Sequence, residues 1–277
     1  MGKLIIISGP SGVGKGPLVK TLEIYLKAVN KTLVKHVLYN ARDKRAGEVQ
    51  GETYWYSYLW DKEKCNWNWR TKSQYDKEIA EDKLEHIRQV AINNGEDFEK
   101  FNLVADGSGD WQGLNYTVLE EELRDNDIVL LEIIQKEVDN VVKFCEDGKK
   151  GHKTKRIFVS PLYDDDYKDL GCSTQAERAI ATEATMTVKL RGRARENEVD
   201  IRKRAKRAIK EVEEARILRD KGEIHYFVNH FGEDMKTAWE SLQERVEKFP
   251  EIYTDPKFSN MNGIDKTFKE FLELINI

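Results

Sequence analysis

The chain has 277 residues, carries 46 Lys and Arg against 50 Asp and Glu for a formal charge of -4, and is 39% apolar, which suffices for one large domain with insertions or for two modest ones. No apolar run approaches the length of a membrane span. The N-terminus enters the first strand with no signal peptide and with no Ser or Thr placed for myristoylation after Met1-Gly2, so a cytoplasmic protein without a membrane partner is expected. Cys65, Cys145 and Cys172 are odd in number and widely separated, and neither they nor His36, His86, His152, His225 and His230 have metal-ligand spacing; reduced thiols and no protein-held metal are expected.

In chain order, Leu4-Ile5-Ile6-Ile7 reads as a short buried strand. It runs into Gly9-Pro10-Ser11-Gly12-Val13-Gly14-Lys15-Gly16, after which Leu18, Leu22, Tyr25 and Leu26 recur at the spacing of an amphipathic helix. Strand, Gly-x-x-x-x-Gly-Lys and helix in that order make a P-loop. A polyphosphate needs many oriented donors at close range; glycines let the backbone wrap with its N-H groups turned inward, and Lys15 adds a positive charge for the β- and γ-phosphates. Gly9, Ser11, Gly12, Val13, Gly14, Lys15 and Gly16 are therefore the expected ATP-binding residues. The Ser or Thr that usually follows the lysine to hold Mg2+ is replaced by Gly16, and Pro17 comes next, a residue compatible with a first helical turn. Mg2+ would then be carried by phosphate oxygens and water, with weakened protein contact.

Thr32 to Tyr39 reads as a second strand. A polar, aromatic-rich stretch from Asn40 to Gly113 then interrupts the alternation of strand and helix; it contains Asn66-Trp67-Asn68-Trp69-Arg70 and a helix expected from Asp76 to Asn94, and it reads as an inserted substrate-side domain. A helix is expected from Tyr116 to Leu123 and a short buried strand from Asp127 to Glu132, with the acid at its carboxyl end. Another strand is expected from Arg156 to Ser160. Leu162 to Thr185, acidic and then rich in small residues, suits a surface insertion better than a core element. A long charged helical region follows from Val188 to Leu218, then a strand from Glu223 to Asn229 and a helix from Glu233 to Val246. In the tail, Phe268, Phe271, Leu272 and Leu274 have helical spacing, suited to packing on the core or on a partner. The sequence carries no signature of oligomeric state.

Arg42-Asp43-Lys44-Arg45-Ala46-Gly47-Glu48-Val49-Gln50-Gly51-Glu52-Thr53-Tyr54 matches every fixed position of Arg-x-x-Arg-x-Gly-Glu-x-x-Gly-x-x-Tyr. In this motif and in its P-loop the chain resembles the guanylate kinases. The resemblance implies that Arg42, Arg45 and Tyr54 hold the phosphate of an acceptor nucleotide, with Glu48 a further substrate-binding residue. Elementary chemistry agrees, since a phosphate dianion calls for planar, permanently charged donors, and a phenol adds a hydrogen bond. Leu190 to Arg204 is similar to the family's arginine lid, which implies that Arg193 and Arg204 neutralise the transferring phosphoryl group beside Lys15. By the same likeness Asn229 would lie near the adenine of ATP, and Glu132 would orient a Mg2+-bound water or an acceptor-site arginine.

The implied architecture is α/β, a P-loop NTPase-type parallel sheet flanked by helices: a core of residues 1-39 and 114-250 with a helical lid at 189-207, an acceptor-binding insertion at 40-113, and a C-terminal extension at 251-277. The implied reaction is transfer of the γ-phosphoryl of ATP to a nucleoside monophosphate. Two alternatives stand beside it: a non-catalytic module gripping a phosphorylated ligand, and a kinase acting on another phosphorylated metabolite or on nucleic acid. Nucleic acid ranks lower, because Glu196, Glu198, Asp200, Glu211, Glu213 and Glu214 break up the basic surface near the lid.

The guanine-reading positions of the family are not matched. Leu38 stands for a serine, Gly109-Asp110-Trp111-Gln112-Gly113-Leu114 loses a tyrosine and a terminal hydroxyl, Ile134 falls near a strand-end aspartate, and Leu103 near an upstream glutamate. Apolar side chains cannot pair guanine's polar edge, at a cost of roughly 1-3 kcal/mol for each group left unsatisfied. Glu99, Asp106 or Asp110 is a substitute carboxylate. Trp67, Trp69 and Trp111 are stacking platforms or core residues.

Overall fold

The structure, a computed structural model, describes residues 2-40, 48-52, 54-56, 85, 87-97, 101-105, 111-146, 152-192, 197-228, 235-255, 261 and 263-275. The elements in chain order are β1 (Lys3–Ser8), α1 (Lys15–Ala28), β2 (Leu33–Lys35), β3 (Tyr39–Asn40), β4 (Trp55–Tyr56), β5 (Phe101–Ala105), β6 (Trp111–Asn115), α2 (Tyr116–Asp125) and β7 (Ile128–Glu132). They continue with α3 (Val138–Glu146), β8 (Lys153–Ser160), α4 (Asp164–Asp169), α5 (Gln175–Gly192), α6 (Glu198–Asp220), β9 (His225–Val228), α7 (Met235–Lys248) and α8 (Gly263–Ile275). Two compact units result, one of Met1–Val34 with Asn126–Ile277 and one of Lys35–Asp125.

The first unit is built on a five-stranded sheet in the order β2-β7-β1-β8-β9, with β1 in its centre. The pairings of β1 with β7 and β8, and of β8 with β9, are parallel; Ile5 lies opposite Leu130 on one side and Lys155 on the other. A central parallel strand is covered on both faces, so it reads as an unbroken apolar run, and Leu4 to Ile7 are all buried. Helix α1 lays Leu18, Leu22, Tyr25 and Leu26 into the same apolar cluster.

The tail also packs there. Phe268, Phe271, Leu272 and Ile275 of α8 join the cluster that holds Ile5 and Ile7, and Phe268 meets Tyr25 and Tyr253 edge-on at centroid distances of 5.9 and 5.5 Å. Arg245 donates two hydrogen bonds to the Asp265 carboxylate, at 3.1 and 3.0 Å, and ties α7 to α8. Of the two environments expected for the tail's apolar stripe, the stripe occupies the core of its own unit.

Two expectations need correction, and a third is refined. Thr32 to Tyr39 is not one strand: β2 belongs to the large sheet and β3 to a second sheet, and the unit boundary falls between Val34 and Lys35. Leu162 to Thr185 is not a surface insertion, because it forms α4 and the first part of α5. The Tyr167 and Thr182 hydroxyls there are 2.7 Å apart and buried, Arg216 covers the Tyr167 ring, and Met186 and Leu190 of α5 enter the main core. The charged region from Val188 to Leu218 is helical in its described residues and falls in two helices: α5 ends at Gly192 and α6 begins at Glu198, where the Asn197 side chain accepts a hydrogen bond from the Asp200 backbone N-H. Of the helix expected at 76-94, residues 87-93 are helical and 76-84 lie outside the described residues.

The second unit contains a four-stranded sheet in the order β4-β3-β6-β5. Strand β6 runs antiparallel to β3 and β5, and β3 pairs parallel with β4. Tyr39, Ile87 and Ala91 form a buried apolar cluster with Trp55, Val90 and Phe101 against it. A hydrogen-bonded network adjoins this cluster. The Tyr39 hydroxyl donates to Glu96 at 2.6 Å and accepts from Asn94 at 2.8 Å, while the Asn115 side-chain amide donates to the other Glu96 oxygen at 2.8 Å. Asn115 also caps α2, accepting from the Thr117 backbone N-H. This unit includes residues 35-39 and 114-125 beyond the expected insertion of 40-113.

Candidate functional site

The loop between β1 and α1 needs glycine for three steric reasons. Gly9, Gly12 and Gly14 have φ values of +135°, +101° and +89°, a region that side chains disfavour. A Cβ on Gly9 would stand 2.3 Å from the Val159 carbonyl oxygen of β8, and one on Gly12 would stand 2.9 Å from Leu190 of α5. The loop is thus pressed between the sheet and α5 with no room for substituents. Val13 points its side chain into the core and pins the loop, so any contact it makes with a ligand comes from its backbone. Gly14 is the N-cap residue of α1 and offers no side-chain cap, which leaves the helix N-terminus and its positive dipole end for an anion.

Lys15, in the first turn of α1, folds back over the loop. Its Nζ donates to the Gly9 carbonyl at 2.7 Å and the Pro10 carbonyl at 3.0 Å and lies 3.7 Å from Glu132 Oε1 at the carboxyl end of β7. Arg204 Nη1 of α6 also reaches the loop and donates to Ser11 Oγ at 2.9 Å. Ser8, the last residue of β1, is buried and donates to Gln135 Oε1. These groups stand at the carboxyl edge of a parallel sheet, where strand ends and helix starts converge.

The structure therefore gathers Gly9, Ser11, Gly12, Val13, Gly14, Lys15, Gly16, Glu132 and Arg204 within one unit. Glu48 and Tyr54 belong to the other unit. There Gly51, with φ of +78°, turns the chain so that its N-H bonds the Tyr54 carbonyl at 3.0 Å, and the Trp55 ring closes over it; a Cβ at Gly51 would meet that ring at 2.8 Å. The second glycine of the Arg-x-x-Arg motif is thus required sterically. Arg42, Arg45, Arg193 and Asn229 lie outside the described residues, as do Trp67, Trp69, Glu99, Asp106 and Asp110. Leu38 and Leu114 are buried, so these two positions are core and present no polar edge to a base.

Two charged residues of α6 were not singled out as site residues from the sequence. Arg207 Nε of α6 lies 2.7 Å from Glu211 Oε1. Loss of hydration pushes the Glu211 carboxyl above the usual carboxylate range, and the positive charges of Arg207 and Lys15 pull it back. The available signal was the spacing of 204, 207 and 211 along one helix face. It was obscured by the number of other charges in the segment.

For Mg2+, the fit follows from the donors present. A Cβ at Gly16 would meet nothing within 4 Å, so the place of the usual hydroxyl is open, and Glu132 already neutralises Lys15. Among the described residues no group of three or more His, Cys, Asp or Glu side chains could hold a metal ion. This donor set fits an ion carried on the nucleotide's own phosphates.

A parallel sheet with β1 in its middle, a glycine loop and a lysine at the start of α1 define a P-loop α/β protein. The chain is 27% identical over 248 residues to a guanylate kinase of Mycoplasmoides gallisepticum, covering 90% of this chain and 93% of that protein. It is 26% identical over 242 residues to a guanylate kinase of Clostridioides difficile, covering 87% and 85%. A solved guanylate kinase structure from Anaplasma phagocytophilum aligns with 97% of this chain and 94% of its own at 17% identity and a TM-score of 0.40. No protein-family model matches the chain. The chain is a divergent relative of the guanylate kinases. Among the described residues no helix is long and apolar enough to cross a membrane.

Proposed function

We propose that the chain is an ATP-dependent nucleoside monophosphate kinase of guanylate kinase type, moving the γ-phosphoryl of ATP to (d)GMP or a related mononucleotide, modified ones included, to give the diphosphate. The observation that carries this reading is the P-loop geometry: three glycines at positive φ, a helix start with no side-chain cap, and Lys15 and Arg204 both hydrogen-bonded to the loop. Its second support is the motif of Arg42, Arg45 and Tyr54, a phosphate grip by residue chemistry, in which Glu48 is a further substrate-binding residue.

Loop N-H groups and Lys15 would hold the β- and γ-phosphates, and Lys15 would leave the Gly9 and Pro10 carbonyls to do so. Arg204 and Arg193 would neutralise the equatorial oxygens of the phosphoryl group in flight. No covalent intermediate is required, because positioning and charge neutralisation supply most of the rate. Mg2+ bound to the phosphates would neutralise their charge, with Glu132 orienting its water. The base remains the open variable, since Leu38 and Leu114 are buried apolar residues where guanine's polar edge would need donors and acceptors.

The test is ADP release from ATP and Mg2+ with a panel of ribo-, deoxy- and modified mononucleotides. Turnover is expected with at least one guanine nucleotide. Lys15→Ala should lower it about 10³-fold with the melting temperature unchanged. ATP binding without turnover on any acceptor would replace the enzyme by a phosphate-gripping module.

A further inference from the structure

Helix α6 brings more than Arg204 to the P-loop. Residues 204, 207 and 211 are spaced i, i+3 and i+7 and so line one side of the helix. They run beside the buried stripe of Ile201, Ala205, Ala208, Val212 and Ala215, which fixes the helix against its unit and leaves this row no freedom to turn away. At one end of the row Arg204 touches Ser11 of the loop. At the other, Glu211 has 22% of its side chain accessible and senses the charge of Lys15. Arg207 lies between these two residues along the row, with its Nε on Glu211 at 2.7 Å.

A carboxylate beside the lysine of an anion site works against the anion unless it serves the cations around it. We propose that Arg207 is a further polyphosphate-binding residue of this site, and that Glu211 is the positioning residue that holds its guanidinium beside the loop until phosphate oxygens replace the carboxylate. The inference rests on the kinase reading for the identity of the ligand. Arg204 and Arg207 would then approach a polyphosphate from the same helix, one turn apart, while Lys15 approaches from α1. A guanidinium suits this exchange, because its planar fork binds a carboxylate and a phosphate with the same geometry.

The experiment is calorimetric titration of ATP, and separately of adenosine, into the full chain and into Arg207→Ala, Arg207→Lys, Arg207→Gln, Glu211→Gln, Arg207→Ala/Glu211→Gln and Lys15→Ala, with melting temperatures recorded alongside. Arg207→Ala and Arg207→Gln are expected to weaken ATP about tenfold, the scale of one charge-assisted hydrogen bond, and to leave adenosine unchanged. Arg207→Lys should recover part of the loss. Because Glu211 acts through Arg207, Glu211→Gln should shift ATP affinity in the parent and not in the Arg207→Ala background, a coupling that a purely structural pair would not produce. Parent-like ATP affinity in folded Arg207→Ala and Arg207→Gln, with Lys15→Ala binding poorly, overturns the inference and leaves the kinase reading standing. A parent chain that binds no ATP removes both.

Discussion

Residues around β1 and residues around β3 bury their interiors by different chemistry. In the first unit the cluster around β1 is mainly apolar: Ile5, Ile7, Leu18, Leu22, Leu130, Val159, Phe268 and Phe271 belong to it, and the polar groups of the candidate site collect at the carboxyl ends of the strands. In the second, the two-residue strand β3 places a tyrosine in the interior, and its hydroxyl is satisfied by Glu96 and Asn94. Parallel strands covered on both faces can be wholly apolar in their middles, with the polar groups left to their ends. A short-stranded sheet has fewer apolar contacts with which to specify one packing, and a satisfied buried network supplies that specificity. Burial and the Glu96 carboxylate both raise the Tyr39 pKa, so its phenol stays protonated as the network requires.

The largest effect is expected where the first unit has no space. Gly9→Ala puts a methyl 2.3 Å from the Val159 carbonyl at a φ that alanine resists, and should cost about 3-5 kcal/mol in urea unfolding. A loss below about 1 kcal/mol would mean that the loop and β8 separate easily, against the tight packing described. Next comes Tyr39→Phe, which leaves Glu96 and Asn94 short of a partner and should cost about 1-3 kcal/mol. Hydrogen exchange should rise in β3, β5 and β6 while β1 amides keep their protection; equal loss in both units would erase the distinction between them.

The smallest effect is expected at the start of α5. Glu177 accepts hydrogen bonds from the Ser173 and Thr174 backbone N-H groups and the Ser173 hydroxyl, and its pKa is lowered to about 2. A carboxyl lowered in the folded state adds stability above its ordinary pKa of 4.5 and loses it as the pH falls through about 2. Carbon-detected NMR titration should place its midpoint near that value, and exchange in the first turn of α5 should rise through this acid range. A midpoint near 4.5 would show that the cap contributes nothing.

Much of the first unit could be read in one dimension. The apolar run of residues 4-7, the glycines after it and the periodic residues to Leu26 are local signals, each tied to a backbone requirement that no distant contact can alter. The buried strand ending in Glu132 is of the same kind. Helix α5 was misread because its buried positions are Thr182, Met186 and Leu190 among alanines and threonines, a stripe too weak in hydrophobicity to announce a core helix. The break between α5 and α6 was hidden by continuous charge, and the break between β2 and β3 by a continuous strand-like composition.

The amino-acid order thus dictated the phosphate loop, the strands with both faces buried and the helical character of the tail, because periodicity and steric demand act over a few residues. The long-range pairings came only with folding: Lys15 with Glu132, Arg204 with Ser11, and α8 against α1. Each joins residues far apart in the chain, and their meeting depends on strand order and helix packing, which no local pattern encodes.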